Sequence, residues 1–296
     1  MRGLTITAPA KVNLFLGIGE VRPDGHHDLH SIFQTLELHD TLTLTPADEL
    51  TLSCDHDLDI SAEHNLAFRA ARGFAETFGI DVFVHIDIRK QIPAGAGLAG
   101  GSSDAAGVLA GLAHWASLPL DDPRLLGVAR SLGADVAFFL YGGAALMGGR
   151  GDELVSHLPS AELHVALAKP EVGVSTAAAY RAFDANPQPV GNWDALADAL
   201  RTRADVQVLA AALSNNMTDA SVSLVPQVGE TLSWMKAEPG VLGALVAGSG
   251  SSVFGVCDGA AACERVVADA RARGLWSVAT RTRATGVRVT DEEGAQ

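Results

Sequence analysis

Hydrophobic positions recur along the chain with two different periods, which alternate without a regular order. Between Ala62 and Phe78, apolar side chains return at helical spacing as far as Gly79, which predicts a helix with a glycine stop. Strict alternation over Asp81–Ile88 predicts a strand, and the alanine-rich run Ser103–Trp115 predicts a second helix. Because strands and helices do not follow the regular repeat of a parallel sheet, the pattern favours the α+β class.

Further elements are expected on both sides of a boundary near Pro159. Residues 4–7 and 12–18 have the pattern of opening strands, and residues 40–54 alternate around a turn at 46–48, which predicts a hairpin. A helix is predicted over Pro123–Leu132. The elements predicted after Pro159 are a strand at 161–170, helices at 193–201, 206–213 and 226–236, a strand pair around 244–257, a helix at 260–273 and a strand near 285–290. The expected domains are 1–158 and 159–296.

The charge balance narrows the set of partners. The chain of 296 residues carries 21 lysines and arginines against 35 carboxylates, for a net charge of −14. A surface this negative repels nucleic acid and anionic lipid, so neither nucleic acid nor a membrane is expected as a partner. The chain has three cysteines without a C-x-x-C pair, and its N-terminal segment has no long apolar run, so a cytoplasmic protein is expected. The expected oligomeric state is a monomer or a weak dimer.

A glycine-rich stretch, IPAGAGLAGGSSDAAG at Ile92–Gly107, has the spacing of a dinucleotide-binding turn at Gly95–Gly100. Such a turn needs an acidic residue about 20 positions later at the tip of a second strand. Asp121 and Asp122 have that distance but fall between two predicted helices. A Walker A loop needs a lysine after its last glycine, and none follows Gly101. Small residues at a helix start bind anions through backbone N–H groups, so a phosphate loop is predicted.

Three segments resemble, in the family's order, the motifs of the GHMP kinase superfamily. They are Ala8–Leu16, the phosphate loop Pro93–Ser103 and the glycine motif Gly243–Val256. The resemblance implies a GHMP kinase fold, with a ribosomal protein S5 domain 2-like N-terminal domain, a ferredoxin-like C-terminal domain and phosphoryl transfer from ATP. Within the superfamily, residues 23–40 and 132–140 resemble the corresponding segments of one branch. The kinases of that branch phosphorylate the 2-hydroxyl of 4-diphosphocytidyl-2-C-methyl-D-erythritol, a precursor in non-mevalonate isoprenoid synthesis.

Lys11 and Asp135 are the expected catalytic pair. Lys11 lies between Pro9 and a strongly apolar strand, where a lysine needs a partner. Asp135 precedes the apolar run 136–140, a position that is also typical of a helix N-cap. By the resemblance, Asp135 takes the proton of the substrate hydroxyl, and Lys11 polarises that hydroxyl and stabilises the transferring charge. A nearby lysine also keeps a carboxylate ionised.

The resemblance implies the remaining contacts as well. The expected ATP-binding residues are Pro93, Ala94, Gly95, Ala96, Gly97, Leu98, Ala99, Gly100, Gly101, Ser102, Ser103, Asn65 and Lys90. The expected substrate-binding residues are Asn13, His26, His27, Thr176 and Tyr180. His26 stands where the branch usually has a tyrosine that stacks on cytosine, and His27 stands where a histidine bonds the edge of the base. Gly248–Ser251 is expected on the substrate side. Mg²⁺ is expected with ATP, with Ser102 or Ser103 as an oxygen ligand, and no carboxylate ligand is assigned.

The sequence is also compatible with other functions. His26, His27 and His30, with Asp24 and Asp28, have spacings that a zinc site uses. Another GHMP kinase, acting on homoserine or mevalonate, would share the glycine motifs but would need no cytosine site. A non-catalytic nucleotide-binding protein on the same fold is the third alternative.

Overall fold

A computed structural model describes residues 2–23, 25–56 and 60–291. Within these residues the strands are β1 (Leu4–Val21), β2 (His27–Pro46), β3 (Thr51–Cys54), β4 (Val84–Arg89), β5 (Ala144–Gly148), β6 (Glu153–Leu158), β7 (His164–Lys169), β8 (Ser214–Asn215), β9 (Val241–Val246), β10 (Val253–Cys257), β11 (Trp276–Arg281) and β12 (Arg288–Asp291). The α-helices are α1 (Leu66–Phe78), α2 (Gly100–Trp115), α3 (Pro123–Leu132), α4 (Val136–Tyr141), α5 (Thr176–Ala185), α6 (Trp193–Arg201), α7 (Val206–Ala211), α8 (Thr218–Leu224), α9 (Pro226–Ala237) and α10 (Ala260–Ala272), and a short 3₁₀ helix at Ala62–His64 precedes α1.

The larger sheet is built on the long antiparallel pair of β1 and β2. Its strands follow the order β12-β1-β2-β4-β3, with β5 and β6 added beside β2 and β8 beside β1. Helices α1 to α4 contribute to the hydrophobic core that covers this sheet. Helix α2 lies close to the sheet because it carries glycine where the two meet: a Cβ on Gly111 would lie 2.5 Å from Leu44 Cδ1 and 2.9 Å from Ile6 Cδ1. The small residues of α2 therefore set the distance between helix and sheet.

The smaller sheet is antiparallel, in the order β11-β7-β10-β9. Helices α9 and α10 pack on it, and their buried faces form a second core with apolar residues of β7 and β10. Two strands from the second half of the chain, β8 and β12, pair with β1 of the larger sheet. Mixed helices and largely antiparallel sheets confirm the predicted α+β class.

The predicted hairpin over residues 40–54 is wrong. Both β2 and β3 pair with β4, which lies between them, and β3 pairs with β4 in parallel. An alternating hydrophobic pattern is compatible with any neighbouring element that covers one face of the strand, so the pattern does not specify which strand pairs with it. The two predicted opening strands are one strand, β1, with a register shift between Pro9 and Lys11. Helices α3 and α6 confirm their predicted bounds.

Candidate active site

The three sequence motifs meet around one cavity of about 720 Å³. The carbonyl of Leu98, in the glycine loop, accepts a hydrogen bond from the backbone N–H of Lys11 in β1 at 3.1 Å. The Gly95 carbonyl accepts one from the backbone N–H of Ser251, in the C-terminal motif, at 3.3 Å. Segments far apart in sequence are therefore joined by main-chain hydrogen bonds at the edge of the cavity.

The glycine loop leads into α2 with an uncapped helix start. Ala99 occupies the N-cap position in a left-handed conformation, with φ of 57°, and provides no side-chain cap. Gly100, Gly101 and Ser102 line the cavity at this end of α2. The first N–H groups of a helix lack intrahelical acceptors, and the helix dipole places partial positive charge there. This end of the cavity fits a phosphate group.

Gly97 is required where the loop crosses the C-terminal motif. Its φ is +75°, and a Cβ built on it would overlap the carbonyl oxygen of Ala247 and lie 3.1 Å from the carbonyl oxygen of Gly250. Both obstacles are backbone atoms, which cannot rotate away as a side chain can. A side chain at position 97 would therefore force the two segments apart.

Lys11 and Asp135 form an ion pair inside a short polar network. Lys11 Nζ lies 3.4 Å from Asp135 Oδ2 and donates a hydrogen bond to Asn13 Oδ1 at 2.8 Å. Asn13 Nδ2 donates to Ser31 Oγ at 2.9 Å, and Ser31 Oγ donates to the Phe15 carbonyl at 2.6 Å. The Lys11 side chain is 5% exposed and that of Asp135 is 26% exposed. The network thus fixes the ammonium, while the carboxylate remains accessible from the cavity.

Asp135 stands at the N-cap position of α4 but forms no side-chain capping bond. Its carboxylate instead faces Lys11, whose ammonium also lies 4.9 Å from the centre of the Phe33 ring. Tyr180 lines the same cavity. Burial, with a smaller contribution from Asp135, raises the pKa of Tyr180 to about 12, so the phenol stays protonated at neutral pH.

On the expected cytosine side, the structure brings His27 and Tyr180 together. Their rings are stacked with centroids 5.6 Å apart and planes inclined by 27°. His27 Nδ1 lies 2.9 Å from the Gly19 carbonyl oxygen, and Nε2 lies 2.9 Å from Asp184 Oδ1. The residues that line the cavity include Tyr180 but neither His27 nor His26, which lies exposed on the turn before β2.

Thr176 and the C-terminal motif close another side of the cavity. Thr176 begins α5, and its hydroxyl lies 2.9 Å from Ser249 Oγ. Asn215 holds the C-terminal motif in place through two hydrogen bonds: its Nδ2 donates to the Val246 carbonyl at 2.9 Å and to the Gly248 carbonyl at 2.8 Å. Asn215 was not predicted from the sequence, although a polar pair at 215–216 shortly before a helix is a detectable signal.

On the expected nucleotide side, Asn65 lines the cavity and also caps α1 through a hydrogen bond from the Ala67 N–H to its Oδ1 at 2.9 Å. Lys90 also lines the cavity, but its ammonium is engaged by two buried carboxylates, Asp40 and Asp104. Burial alone would lower the pKa of Lys90, but Asp104 and Asp40 together raise it above its ordinary value. Sequence reasoning missed both carboxylates, because they lie 50 and 14 positions from the lysine.

A basic side chain not singled out from the sequence also reaches the cavity. Arg150 lines it and pairs with Asp152, with Nη2 and Oδ2 3.0 Å apart. The pKa of Asp152 lies below its ordinary value although burial acts to raise it, because hydrogen bonds from Arg150 stabilise the carboxylate. The pair adds a guanidinium to the wall of the cavity.

Neither a metal-binding cluster nor a membrane-spanning helix is present in the described residues. These residues contain no group of three or more His, Cys, Asp or Glu side chains arranged to hold a metal. The zinc alternative built on His26, His27 and His30 therefore gains no support, and its Asp24 lies outside the described residues. No helix in the described part of the chain has the length and apolar character needed to cross a bilayer.

Residues 65–143 match the family profile of the GHMP kinases N terminal domain, and residues 189–274 match that of the GHMP kinases C terminal domain. A 4-diphosphocytidyl-2-C-methyl-D-erythritol kinase of Desulfitobacterium hafniense is 38% identical over 284 residues, covering 94% of this chain and 96% of that protein. A protein of the same name from Salinispora arenicola is 38% identical over 274 residues, covering 89% of this chain and 86% of its own.

Solved structures agree with these sequence matches. A crystal structure of 4-(cytidine 5'-diphospho)-2C-methyl-D-erythritol kinase is similar with a TM-score of 0.78 at 34% identity, covering 94% of this chain and 99% of that one. A homoserine kinase from Cytophaga hutchinsonii has a TM-score of 0.76 at 20% identity, which shows a common fold alone. The predicted GHMP kinase fold is confirmed, and the chain belongs to the 4-diphosphocytidyl-2-C-methyl-D-erythritol kinase family of the GHMP kinases.

Proposed function

We propose that this protein transfers the γ-phosphoryl group of ATP to the 2-hydroxyl of 4-diphosphocytidyl-2-C-methyl-D-erythritol, a step of non-mevalonate isoprenoid synthesis. The names of the relatives that match nearly the whole chain support the substrate. The observation that carries the proposal is the Lys11–Asp135 pair, which lines the same cavity as the uncapped start of α2. Phosphoryl transfer needs an aligned hydroxyl, charge stabilisation and a proton acceptor, and this cavity offers candidates for each.

In this proposal Asp135 accepts the proton of the attacking hydroxyl. Its Oδ2 lies 3.4 Å from Lys11 Nζ, and the carboxylate is accessible from the cavity in which the hydroxyl would bind. Lys11 is held by Asn13 and shielded from solvent, so its ammonium needs little reorganisation when negative charge develops on the transferring group. Asn13 would then act both as a support for Lys11 and as a substrate contact.

ATP is proposed to place its phosphates against the loop Pro93–Ser103 and its adenosine near Asn65. The cavity carries neutral backbone donors at the start of α2, and these donors suit phosphate in a protein with a net charge of −14. Ser102 lines this end and would offer an oxygen ligand to Mg²⁺. The ion, when bound with ATP, would supply neutralisation of the phosphate charge.

The diphosphocytidyl group is proposed to occupy the side of the cavity lined by Thr176 and Tyr180. Tyr180, whose ring is stacked on that of His27, would offer its ring to the nucleobase for stacking. We further propose that residues 1–158 and 159–296 form the two domains, with β8 and β12 of the second segment pairing with β1 of the first. The enzyme is expected to act in the cytoplasm as a monomer or a weak dimer.

The decisive experiment is to measure ADP release by the purified protein with 4-diphosphocytidyl-2-C-methyl-D-erythritol, and then with homoserine and with mevalonate. We expect turnover with the cytidyl substrate alone. Turnover with homoserine or mevalonate alone would replace the proposal with another GHMP kinase activity. ATP binding without turnover of any of the three would favour a non-catalytic protein.

Variants test the two catalytic roles. Asp135→Asn keeps the shape of the side chain but cannot accept the proton, and we expect kcat to fall by ~10²-fold or more while ATP binding is retained. Lys11→Met is expected to lose most activity as well. Asp269→Asn in α10 and Lys236→Met in α9 make the same charge changes at exposed positions and serve as controls. Near-normal kcat in either folded site variant would contradict the assigned role.

A further inference from the structure

Three charged side chains form a buried cluster at the wall of the cavity, here called the Lys90 cluster: Lys90, Asp40 and Asp104. Lys90 Nζ donates to Asp104 Oδ2 at 2.6 Å and to Asp40 Oδ2. The side chains are 9%, 0% and 4% exposed, respectively. One ammonium therefore faces two carboxylates in a region that solvent barely reaches.

The Lys90 cluster holds the chain on both sides of the glycine loop. On the side that enters the loop, Asp40 Oδ1 accepts hydrogen bonds from the backbone N–H groups of Gln91 at 2.6 Å and Ile92 at 2.8 Å. On the side that leaves it, Asp104 lies in α2, which begins at Gly100. A Cβ on Gly100 would lie 3.3 Å from Asp40 Oδ2. The cluster thus lies next to the residues at which the loop becomes helix α2.

The charges of the cluster matter for any anion bound above it. Without Lys90, Asp40 and Asp104 would lie next to the helix start with no cation to compensate them, so any negative charge on the two carboxyl groups would repel both the neighbouring carboxyl and a phosphate group. Burial raises the pKa of Asp104 to about 7, and Lys90 opposes that rise. Asp104 Oδ1 has no hydrogen-bond partner among the described residues, so Lys90 is the main compensation for this carboxylate.

We propose that Lys90 is a positioning residue for ATP: by joining Asp40 to Asp104 it holds both ends of the phosphate loop in the binding arrangement and offsets the negative charge beneath them. The ammonium itself is directed to the two carboxylates, and its effect reaches the nucleotide through the loop. The proposal deepens the proposed function and rests on the cavity being the ATP site.

The first test is isothermal titration calorimetry of Mg²⁺ with a non-hydrolysable ATP analogue. Removing the ammonium in Lys90→Met leaves the carboxylates uncompensated, and we expect the analogue to bind roughly tenfold more weakly or worse. Lys236→Met, at an exposed position of α9, removes the same charge from the surface and should bind within about twofold of the unaltered protein. Equal affinity in folded Lys90→Met and Lys236→Met would overturn the proposal.

A second measurement separates positioning of ATP from general destabilisation. In the turnover assay, Lys90→Met should raise KM for ATP and leave KM for the cytidyl substrate nearly unchanged. Adding Asp104→Asn to Lys90→Met removes one uncompensated charge and should recover part of the analogue affinity, whereas adding the exposed change Asp269→Asn should not. An equal rise of both KM values, or equal recovery by both second changes, would overturn the proposal.

A failure of Lys90→Met to fold and a failure of the proposed function give different results. If Lys90→Met does not fold, Lys90→Met/Asp104→Asn is compared with Asp104→Asn alone, and the double variant must bind the analogue more weakly for the proposal to stand. An unaltered protein that binds the analogue but does not phosphorylate the cytidyl substrate would refute the proposed function and leave the role of Lys90 intact.

Discussion

Replacing Gly97 with alanine should separate the glycine loop from the C-terminal motif, while the same change at Gly95 should not. Both glycines have positive φ, +75° and +62°. A Cβ on Gly97 would overlap the Ala247 carbonyl oxygen, whereas a Cβ on Gly95 would meet nothing within 4 Å. The two variants therefore share the cost of a left-handed alanine and differ in the steric overlap.

The size of the effect follows from the contacts at this crossing. A left-handed conformation costs a non-glycine residue about 1–2 kcal/mol at either position. Moving the loop away from Ala247 would also break the hydrogen bonds from Ser251 N–H to the Gly95 carbonyl and from Ser252 N–H to the Ala96 carbonyl. At about 1 kcal/mol each, these bonds add about 2 kcal/mol. We therefore expect a loss of about 3–4 kcal/mol for Gly97→Ala and about 1–2 kcal/mol for Gly95→Ala.

The assay is urea unfolding of both variants and the unaltered protein without nucleotide, so that ligand contacts do not enter the comparison. The free energy of unfolding is extrapolated to water from each curve. Affinity for an ATP analogue is measured in parallel and should fall further in Gly97→Ala than in Gly95→Ala. Equal unfolding free energies for the two variants would refute the inferred close approach between Gly97 and Ala247.

Three further predictions concern buried polar groups. Burial raises the pKa of Asp104 in the folded protein from 3.8 to about 7, so its carboxyl should make the protein less stable as pH rises from about 4 to 7. In urea unfolding at pH 5 and pH 8, Asp104→Asn should therefore gain stability relative to the unaltered protein at pH 8, and a difference between the two proteins that does not change with pH would contradict this. Asn65→Ala should lose about 1 kcal/mol of unfolding free energy through the lost α1 cap, and Asn65→Asp, which can still cap, should lose less; equal losses would exclude capping as the cause. Asn215→Leu should lose about 2–4 kcal/mol, because the Val246 and Gly248 carbonyls lose their donor, whereas the exposed change Asn186→Leu should be nearly neutral in the same unfolding assay.

Local features of the chain were predictable from the sequence by itself. Helices α3 and α6 have the predicted bounds because their start and stop residues lie within the segment, as with Asp122, whose side chain caps α3. The glycine-rich stretch predicted a loop before α2, but the helix begins at Gly100 and not at the predicted Ser103, and the loop is held by contacts with distant residues such as Ala247. The three GHMP kinase motifs likewise indicated the family without any knowledge of their spatial arrangement.

Long-range relations were decided only by the tertiary structure. The alternating hydrophobic pattern indicated that one face of β2 and of β3 is covered. It did not indicate that β4 lies between them, because strand pairing depends on segments that are distant in sequence. The resemblance predicted Lys90 as a nucleotide contact, and only the fold brings Asp40, 50 positions away, against its ammonium. Burial and charge pairing depend on residues that meet in space, and the one-dimensional pattern around a lysine does not carry that information.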